Sequence, residues 1–113
     1  MPKFVAETFP DTLVISFLSS AIQNETEVNE ASENLKHYLM NSVEKNIVLD
    51  LSRIKLMTSA MIGELVKFKK KCDREQRKLK LCGLSPATAE VFKVTRLDKF
   101  FKIYASRKKA GVK

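Results

Sequence analysis

Residues 46–63 read NIVLDLSRIKLMTSAMIG, and their pattern indicates the architecture of the whole chain. The run from Asn46 to Leu51 is short and almost entirely apolar, which is typical of a strand covered on both faces and therefore central in a sheet. After the connector 52–57, the hydroxyl residues Thr58 and Ser59 begin a helix. The segment therefore predicts a buried strand, a loop and a helix start in direct succession.

The N-terminal part of the chain predicts a hairpin and a first helix. Residues 3–8 and 12–18 are β-prone runs separated by turn residues at 10–11. Asn24, with Glu27 three residues later, has the spacing of a capping box at a helix start. Apolar residues at helical spacing then predict one buried stripe on a helix that ends near residue 44: Val28, Ala31, Leu35, Tyr38, Leu39 and Val43.

The C-terminal part predicts two helices and two strands. The helix that begins at Thr58 and Ser59 has an inner stripe of Met61, Leu65, Phe68 and Cys72. Residues 79–82 form a short strand, and Ser85 with Pro86 begins a third helix, because Ser is a favoured N-cap and Pro is tolerated at the next position. Its inward residues are predicted to be Val91, Phe92 and Val94, and residues 97–101 lead into a last strand at 102–104.

The predicted order is β-β-α-β-α-β-α-β. It indicates an α/β fold with a mixed four- to five-stranded β-sheet and helices packed on it. The chain has 113 residues, which leaves room for one domain spanning residues 1–113. Residues 106–113 are predicted to be a flexible basic tail.

The chain has no marks of a membrane or secreted protein. No apolar run approaches the roughly 20 residues needed to span a bilayer. Glu7 and Asp11 interrupt the charged-then-apolar layout of a signal peptide, so the predicted location is cytoplasmic. Cys72 and Cys82 have no nearby histidine and are predicted to be reduced structural thiols.

The basic residues are unevenly distributed. Lys and Arg total 21 against 13 Asp and Glu, a net charge of +8, and they concentrate in residues 67–80 and in the C-terminal tail. The run 67–80 has two interpretations, a solvated helix face or a surface for an acidic partner. A protein partner is favoured over nucleic acid, because Phe68, the only aromatic residue in the run, falls on the inner stripe.

No catalytic constellation is present in the sequence. There is no glycine-rich phosphate loop, no nucleophile with a nearby base and no metal-ligand spacing. The only histidine, His37, lies just off the stripe of the first helix and is predicted to be solvated or half-buried. The sequence therefore predicts a protein that is not an enzyme and that uses no cofactor and no metal.

The segment 46–63 resembles the STAS domain family, specifically the anti-sigma factor antagonists of bacteria. In that family a strand of the form hhhDhs is followed by a segment like hxxhDSSGhG, where h is a hydrophobic residue, s a small residue and x any residue. This pattern aligns the family's first serine with Ser59 and its second glycine with Gly63. The resemblance continues through residues 79–86 and through the apolar positions from Val91 to Phe101, and it covers residues 3–105. This chain departs from the pattern in having Thr58 for the Asp, Ala60 for the second serine and Met61 for the first glycine.

The resemblance implies a regulatory protein that binds a serine-kinase anti-sigma factor or a related switch kinase. It implies phosphorylation of Ser59, with Thr58 as the second candidate, and removal of the phosphate by a cognate phosphatase. The expected partner-binding residues are Lys55, Met57, Thr58, Ser59, Met61 and Ile62. Met57 and Met61 are also candidates for core packing.

A phosphate at this position has a physical rationale. A helix N-terminus offers free amides and a partial positive charge, so the fold should tolerate the group. A partner packed against Ser59 would instead meet a desolvated anion of about −1.5 to −2 charge and be expelled. The simpler alternative is that Thr58 or Ser59 only caps the helix.

Two other functions fit the sequence. One is a non-enzymatic subunit of a larger assembly, such as a stressosome-like scaffold or a lipid-transport complex. A homodimer is a further partner option, independent of the function. The other, less favoured, is a basic nucleic-acid-binding domain, which the charge of +8 motivates.

Overall fold

A computed structural model describes residues 3–112 of the chain. The strands are β1 (Phe4–Phe9), β2 (Thr12–Phe17), β3 (Ala21–Ile22), β4 (Asn46–Asp50), β5 (Leu56–Met57), β6 (Lys78–Cys82) and β7 (Lys102–Tyr104). The helices are α1 (Glu25–Met40), α2 (Ser59–Arg74), α3 (Pro86–Val94) and α4 (Leu97–Phe100).

Five strands form the main sheet, in the order β1-β2-β4-β6-β7. The hairpin pair β1–β2 is antiparallel, and β2–β4, β4–β6 and β6–β7 are parallel. The central position of β4 explains why Ile47, Val48 and Leu49 are all at most 1% exposed. The predicted mixed sheet, its first hairpin and its buried central strand are therefore confirmed.

The helices cover one face of this sheet and form the main core. Alternate strand residues such as Ile15, Leu49 and Leu81 point toward that face, as the two-residue period of a strand requires. They belong to the same buried cluster as residues from α1, α2 and α3: Leu35, Leu65, Phe68 and Phe92.

Two helix starts have the caps that the sequence predicts. At α1 the Glu27 amide donates to the Asn24 side chain (2.8 Å), and the Asn24 amide donates to the Glu27 carboxylate (3.3 Å). At α3 the Thr88 amide donates to the Ser85 hydroxyl (3.2 Å), with Pro86 at the first helical position. Each cap satisfies an amide that has no partner inside its own helix.

The end of α1 differs from the prediction. The helix stops at Met40, and Val43 is 89% exposed instead of buried. The buried Arg77 side chain donates to the carbonyls of Leu39 (3.0 Å) and Glu44 (2.6 Å) and to the Ser42 hydroxyl (2.8 Å). These bonds stabilise the turn after α1, so the helix does not continue for the further turn that would have buried Val43.

The third helix buries a different face from the one predicted. Val91 and Val94 are 42% and 72% exposed, and Thr88 and Phe92 are the buried residues. Residues 88 and 92 are one helical step of four apart, so they share the inner face. After α3, the segment 97–101 that was predicted only to lead into the last strand contains the short helix α4.

The opposite face of the sheet, here called the back face, is covered by the C-terminal segment. Val14, Val48 and Cys82 form a second buried cluster there with Ala110 and Val112. Residues 106–111 form a turn closed by bonds from the Gly111 amide to the Lys108 carbonyl (3.1 Å) and from the Val112 amide to the Arg107 carbonyl (3.0 Å). This is a Schellman ending, and Gly111 has the positive φ of 96° that it requires.

The prediction of a flexible tail is therefore wrong for residues 106–112, and Lys113 lies outside the described residues. The Arg107 guanidinium donates to Asp50 (2.6 Å), to Glu7 (3.1 Å) and to the Ser16 hydroxyl. The basic composition of the segment suggested solvation. Instead, Arg107 binds two carboxylates, and Ala110 and Val112 pack against the sheet. Charge and burial together hold the segment in place.

Both cysteines are free and buried, as the sequence predicts. Burial raises the pKa of the Cys72 thiol to about 12 and that of the Cys82 thiol to about 11. Neither thiol ionises at neutral pH, which fits a packing role. Among residues 3–112, no helix combines the length and apolarity that crossing a membrane requires.

Candidate functional site

The site lies where the connector after β4 meets α2. Thr58 is the N-cap of α2 and has an extended backbone (φ −76°, ψ 161°). Its hydroxyl accepts a hydrogen bond from the Met61 amide (3.3 Å), and its side chain is half-buried. Thr58 is thus committed to the cap, which is the role that the simpler alternative assigned to it or to Ser59.

Ser59 is the first residue of α2 and is exposed. Its hydroxyl makes no hydrogen bond to any other residue within 3–112, so the cap does not depend on it. The first intrahelical bond joins the Ile62 amide to the Thr58 carbonyl (3.1 Å), which leaves the amides of Ser59 and Ala60 without helical partners. An exposed hydroxyl therefore lies at a helix start beside two amides that have no helical partner.

The segment before the helix is held from both sides. β5 pairs in parallel with β3 in a separate small sheet, with Leu56 opposite Ala21 and Met57 opposite Ile22. The Lys55 amide donates to the Ser20 carbonyl (2.7 Å), and the Ser85 hydroxyl donates to the Lys55 carbonyl (3.2 Å). The loops before α1 and α3 therefore fix the approach to Ser59.

The start of the connector is anchored to the back face. The Asp50 carboxylate accepts hydrogen bonds from the Ser52 amide (3.0 Å) and from Arg107 (2.6 Å). Burial by itself would raise the pKa of this carboxyl, but the Ser52 and Arg107 hydrogen bonds outweigh it and hold the pKa below the usual value of 3.8. Asp50 is thus ionised at neutral pH and connects the C-terminal segment to the loop that leads to Ser59.

A close approach between the connector and the end of β6 explains one glycine. Gly83 has a φ of 74°, and a Cβ at this position would lie 2.7 Å from the Ser52 Cβ. A side chain there would displace the connector. Gly83 therefore lets the loop after β4 lie against the loop after β6.

The predicted partner-binding residues do not all lie on the surface. Ser59 and Lys55 are exposed, and Met57 and Thr58 are half-buried. Met61 and Ile62 are 0% and 6% exposed and belong to the main core, so the prediction that they contact a partner is wrong. They lie on the face of α2 that also buries Leu65.

Leu56 is a surface residue of the site that the sequence did not reveal. It is 54% exposed, directly before Met57 and two residues before the cap. A strand of two residues is too short to show alternation, so no pattern in the sequence indicated which of its side chains faces outward. Leu56 therefore adds an exposed apolar side chain three residues before Ser59.

The basic run 67–80 divides into structural and surface residues. Lys69 pairs with Asp73 (2.8 Å) and lies 4.9 Å from the centre of the Phe100 ring, so it packs between α2 and α4. Arg77 is buried, and Lys80 donates to the Ala110 carbonyl (3.0 Å). The run is therefore not uniformly a solvated face, and the exposed cations are Lys67, Lys70, Arg74 and Lys78.

Fold and site together define a small α/β domain with an exposed serine at a helix start. A family model described as the STAS domain matches residues 7–110, and the chain belongs to the STAS domain family.

Solved structures with the same fold include several anti-sigma factor antagonists. The chain is 25% identical to one from Planctomyces limnophilus, with a TM-score of 0.81 and coverage of 97% of this chain and 95% of that one. It is 21% identical to one from Mycobacterium paratuberculosis, with a TM-score of 0.83 and coverage of 97% and 91%. A chain of the stressosome, a signal integration and transduction hub, is 20% identical, with a TM-score of 0.69 and coverage of 93% and 90%.

Proposed function

We propose that this protein is a phosphorylation-controlled antagonist that binds a serine-kinase anti-sigma factor, or a related switch kinase, at the start of α2. The observation that carries the proposal is the division of roles between two adjacent hydroxyls. Thr58 caps the helix, and Ser59 is exposed with its hydroxyl free. The protein itself catalyses no reaction in this proposal, and it acts in the cytoplasm.

The unphosphorylated form binds the partner through a small mixed surface. Lys55 and Leu56 lie before the helix start, Met57 is half-buried beside them, and Ser59 lies at its first position. The backbone of this surface is fixed by β3 and by the start of α3, so binding does not require the loop to become ordered. A preformed surface of this kind loses little conformational entropy on binding.

The phosphorylated form keeps its fold and loses the partner. A phosphate on Ser59 adds about −1.5 to −2 charge at a helix N-terminus, where the helix dipole favours it. No acidic residue lies in the first turn of α2 to oppose it. A partner that covers Ser59 would have to bury this anion, which costs more than the contact supplies. A cognate phosphatase then restores the binding form.

The first experiment compares partner capture by the wild-type chain, Ser59→Ala and Ser59→Asp. Wild type and Ser59→Ala are expected to retain a protein with a histidine-kinase-like ATPase domain, and Ser59→Asp is expected to lose it. Ser106→Asp is the matched control, because Ser106 is also an exposed serine but lies in the C-terminal segment that covers the back face, where its hydroxyl accepts from the Lys109 amide (3.3 Å). Equal capture by Ser59→Asp and Ser106→Asp contradicts the proposal.

The second experiment locates the phosphate. After incubation of the chain with the captured kinase and ATP, mass spectrometry is expected to find one phosphate, on Ser59. Phosphate on Thr58 would require the cap to open, and it should be accompanied by loss of helix stability. Absence of phosphate at both positions would remove the switch from the proposal.

A non-enzymatic subunit of a larger assembly is the second candidate. Met40 and Val43 are 83% and 89% exposed near the end of α1, which leaves apolar surface away from Ser59. Under this function the chain forms assemblies larger than a monomer. The double variant Met40→Ser with Val43→Ser is expected to dissociate them. Sedimentation of both forms at micromolar concentration distinguishes the two functions.

A further inference from the structure

The exposed face of α2 continues from Ser59 to the far end of the helix. Residues spaced by four, four, three and four positions lie on one side of a helix, and all five members of this series are exposed. We name them the outer stripe of α2: Ser59, Gly63, Lys67, Lys70 and Arg74. The hydroxyl that the proposed function uses is thus one end of a longer surface, and the other end is basic.

The cations of the outer stripe are poorly neutralised by the protein itself. Lys67 is 3.6 Å from Glu64, but its side chain is 74% exposed. Lys70 and Arg74 form no ion pair with any residue in 3–112. Lys69, the neighbour that faces α4, has its own partner in Asp73. Along the outer stripe, Lys67 therefore has only one long, exposed ion pair, and Lys70 and Arg74 have none within residues 3–112.

The distances along the helix bring these cations within reach of a partner centred on Ser59. A rise of 1.5 Å per residue places Lys67, Lys70 and Arg74 about 12, 17 and 22 Å from Ser59. A partner interface of ordinary size covers about 800 Å² on each side, which corresponds to a disc of about 16 Å radius. Such a footprint includes Lys67 and has Lys70 at its rim. Gly63, between Ser59 and Lys67, has open space where a side chain would lie.

We infer that the partner docks lengthwise on the outer stripe of α2 and presents an acidic protein surface to Lys67 and Lys70. This inference rests on the proposed function for the centre of the footprint, and it adds the chemistry of the partner's far side. Rim charges mainly steer association and fix orientation. A nucleic acid fits less well, because the one aromatic side chain of the run, Phe68, is 3% exposed and offers bases no stacking surface.

The test reverses charge at two sites and measures association with the partner captured by the wild-type chain. The stripe variant is Lys67→Glu with Lys70→Glu. The control is Lys108→Glu with Lys109→Glu, two exposed lysines of the C-terminal segment on the other side of the sheet, and both pairs change the net charge equally. The stripe variant is expected to lower the association rate by ~10-fold or more at low salt, with a smaller difference at high salt, and the control by at most ~2-fold.

Failures of the two proposals are distinguishable. If Ser59→Asp abolishes binding and the stripe variant matches the control, the partner docks at Ser59 without the stripe, and this inference is wrong. If the stripe variant weakens binding and Ser59→Asp does not, the switch at Ser59 is wrong and the basic surface stands. Equal effects of the stripe and control pairs at all salt concentrations contradict this inference.

A second measurement needs no natural partner. The isotope-labelled wild-type chain is titrated with a poly-glutamate peptide and, separately, with duplex DNA, and the amide shifts are mapped by NMR. Poly-glutamate is expected to shift the outer stripe of α2 and to lose this effect in the stripe variant. Shifts centred on the C-terminal segment, or tighter stripe-dependent binding of DNA than of poly-glutamate, overturn the assignment to an acidic protein.

Discussion

At the scale of single residues, the site depends on two neighbouring hydroxyls with different tasks. Thr58, which stands where the resembled pattern has an aspartate, supplies the cap, and both residue types are good N-caps. The substitution therefore preserves the helix start and leaves Ser59 exposed. Sequence reasoning identified both residues but could not separate their roles, because adjacent hydroxyls at a helix start have the same local signature.

The two hydroxyls are expected to differ in their effect on stability. Thr58→Ala should lower the free energy of unfolding by about 1 kcal/mol, since the Met61 amide loses its acceptor. Ser59→Ala should change it by less than about 0.5 kcal/mol, as is usual for an exposed position. Urea titration measures both, with Thr58→Ser as the variant that retains the cap. A larger loss for Ser59→Ala than for Thr58→Ala would reverse the assignment.

Asp50 gives the protein a defined acid dependence. Its folded pKa is depressed, so the ionised form contributes stability that is fully present well above 3.8, begins to shrink near that pH and is lost as the pH falls through the folded value. Asp50→Asn should therefore destabilise the protein at neutral pH, and its difference from wild type should shrink below pH 3.8. Unfolding midpoints measured from pH 7 to pH 2.5 test this, and a difference that does not vary with pH would contradict it.

At the scale of elements, the sequence predicted what periodicity and caps encode. The starts of α1, α2 and α3 and the strands of the main sheet follow from patterns within ten or so residues. The small sheet of β3 and β5 did not emerge, because two-residue strands show no alternation. The end of α1 was misplaced because the residue that stabilises the following turn, Arg77, lies more than thirty positions away in the sequence.

Two glycines are expected to respond to alanine with opposite signs. Gly63 lies inside α2 with nothing within 4 Å of an added Cβ, so Gly63→Ala should stabilise the fold by about 1 kcal/mol. Gly83 has a positive φ and a Cβ there would meet Ser52, so Gly83→Ala should destabilise it by about 2 kcal/mol or more. Thermal unfolding of the two variants side by side measures this contrast. A loss of stability in Gly63→Ala would contradict the open space beside Gly63.

At the scale of the whole molecule, the sheet is covered by different means on its two faces. Amphipathic helices cover one face, and the periodic spacing of their apolar residues allowed that layer to be predicted from the sequence. The back face is covered by a segment rich in lysine, whose two buried residues are small or isolated and give no periodic signal. Its placement depends on Arg107 reaching carboxylates on β1 and β4, which no local pattern indicates.

The reactivity of the Cys82 thiol measures how well the C-terminal segment covers the back face. In the intact protein burial holds its pKa near 11, and reaction with a thiol reagent at pH 8 should be slow. Removal of residues 107–113 exposes the back face and should accelerate labelling of Cys82 by ~10-fold or more, in a Cys72→Ser background. Circular dichroism of the truncated form verifies that the helices persist, and Cys72 in a Cys82→Ser background is the control that should stay unreactive. Unchanged labelling of Cys82 would mean that the segment does not shield it.

The bond between Arg107 and Glu7 joins positions one hundred residues apart in the sequence. During synthesis on the ribosome, every strand of the sheet emerges before the residues that cover its back face. The nascent domain therefore passes through a stage in which its helical layer can assemble while Val14, Val48 and Cys82 face water. Chaperones that recognise exposed apolar strands can bind the domain during that stage. The stage ends only when Arg107 reaches the sheet.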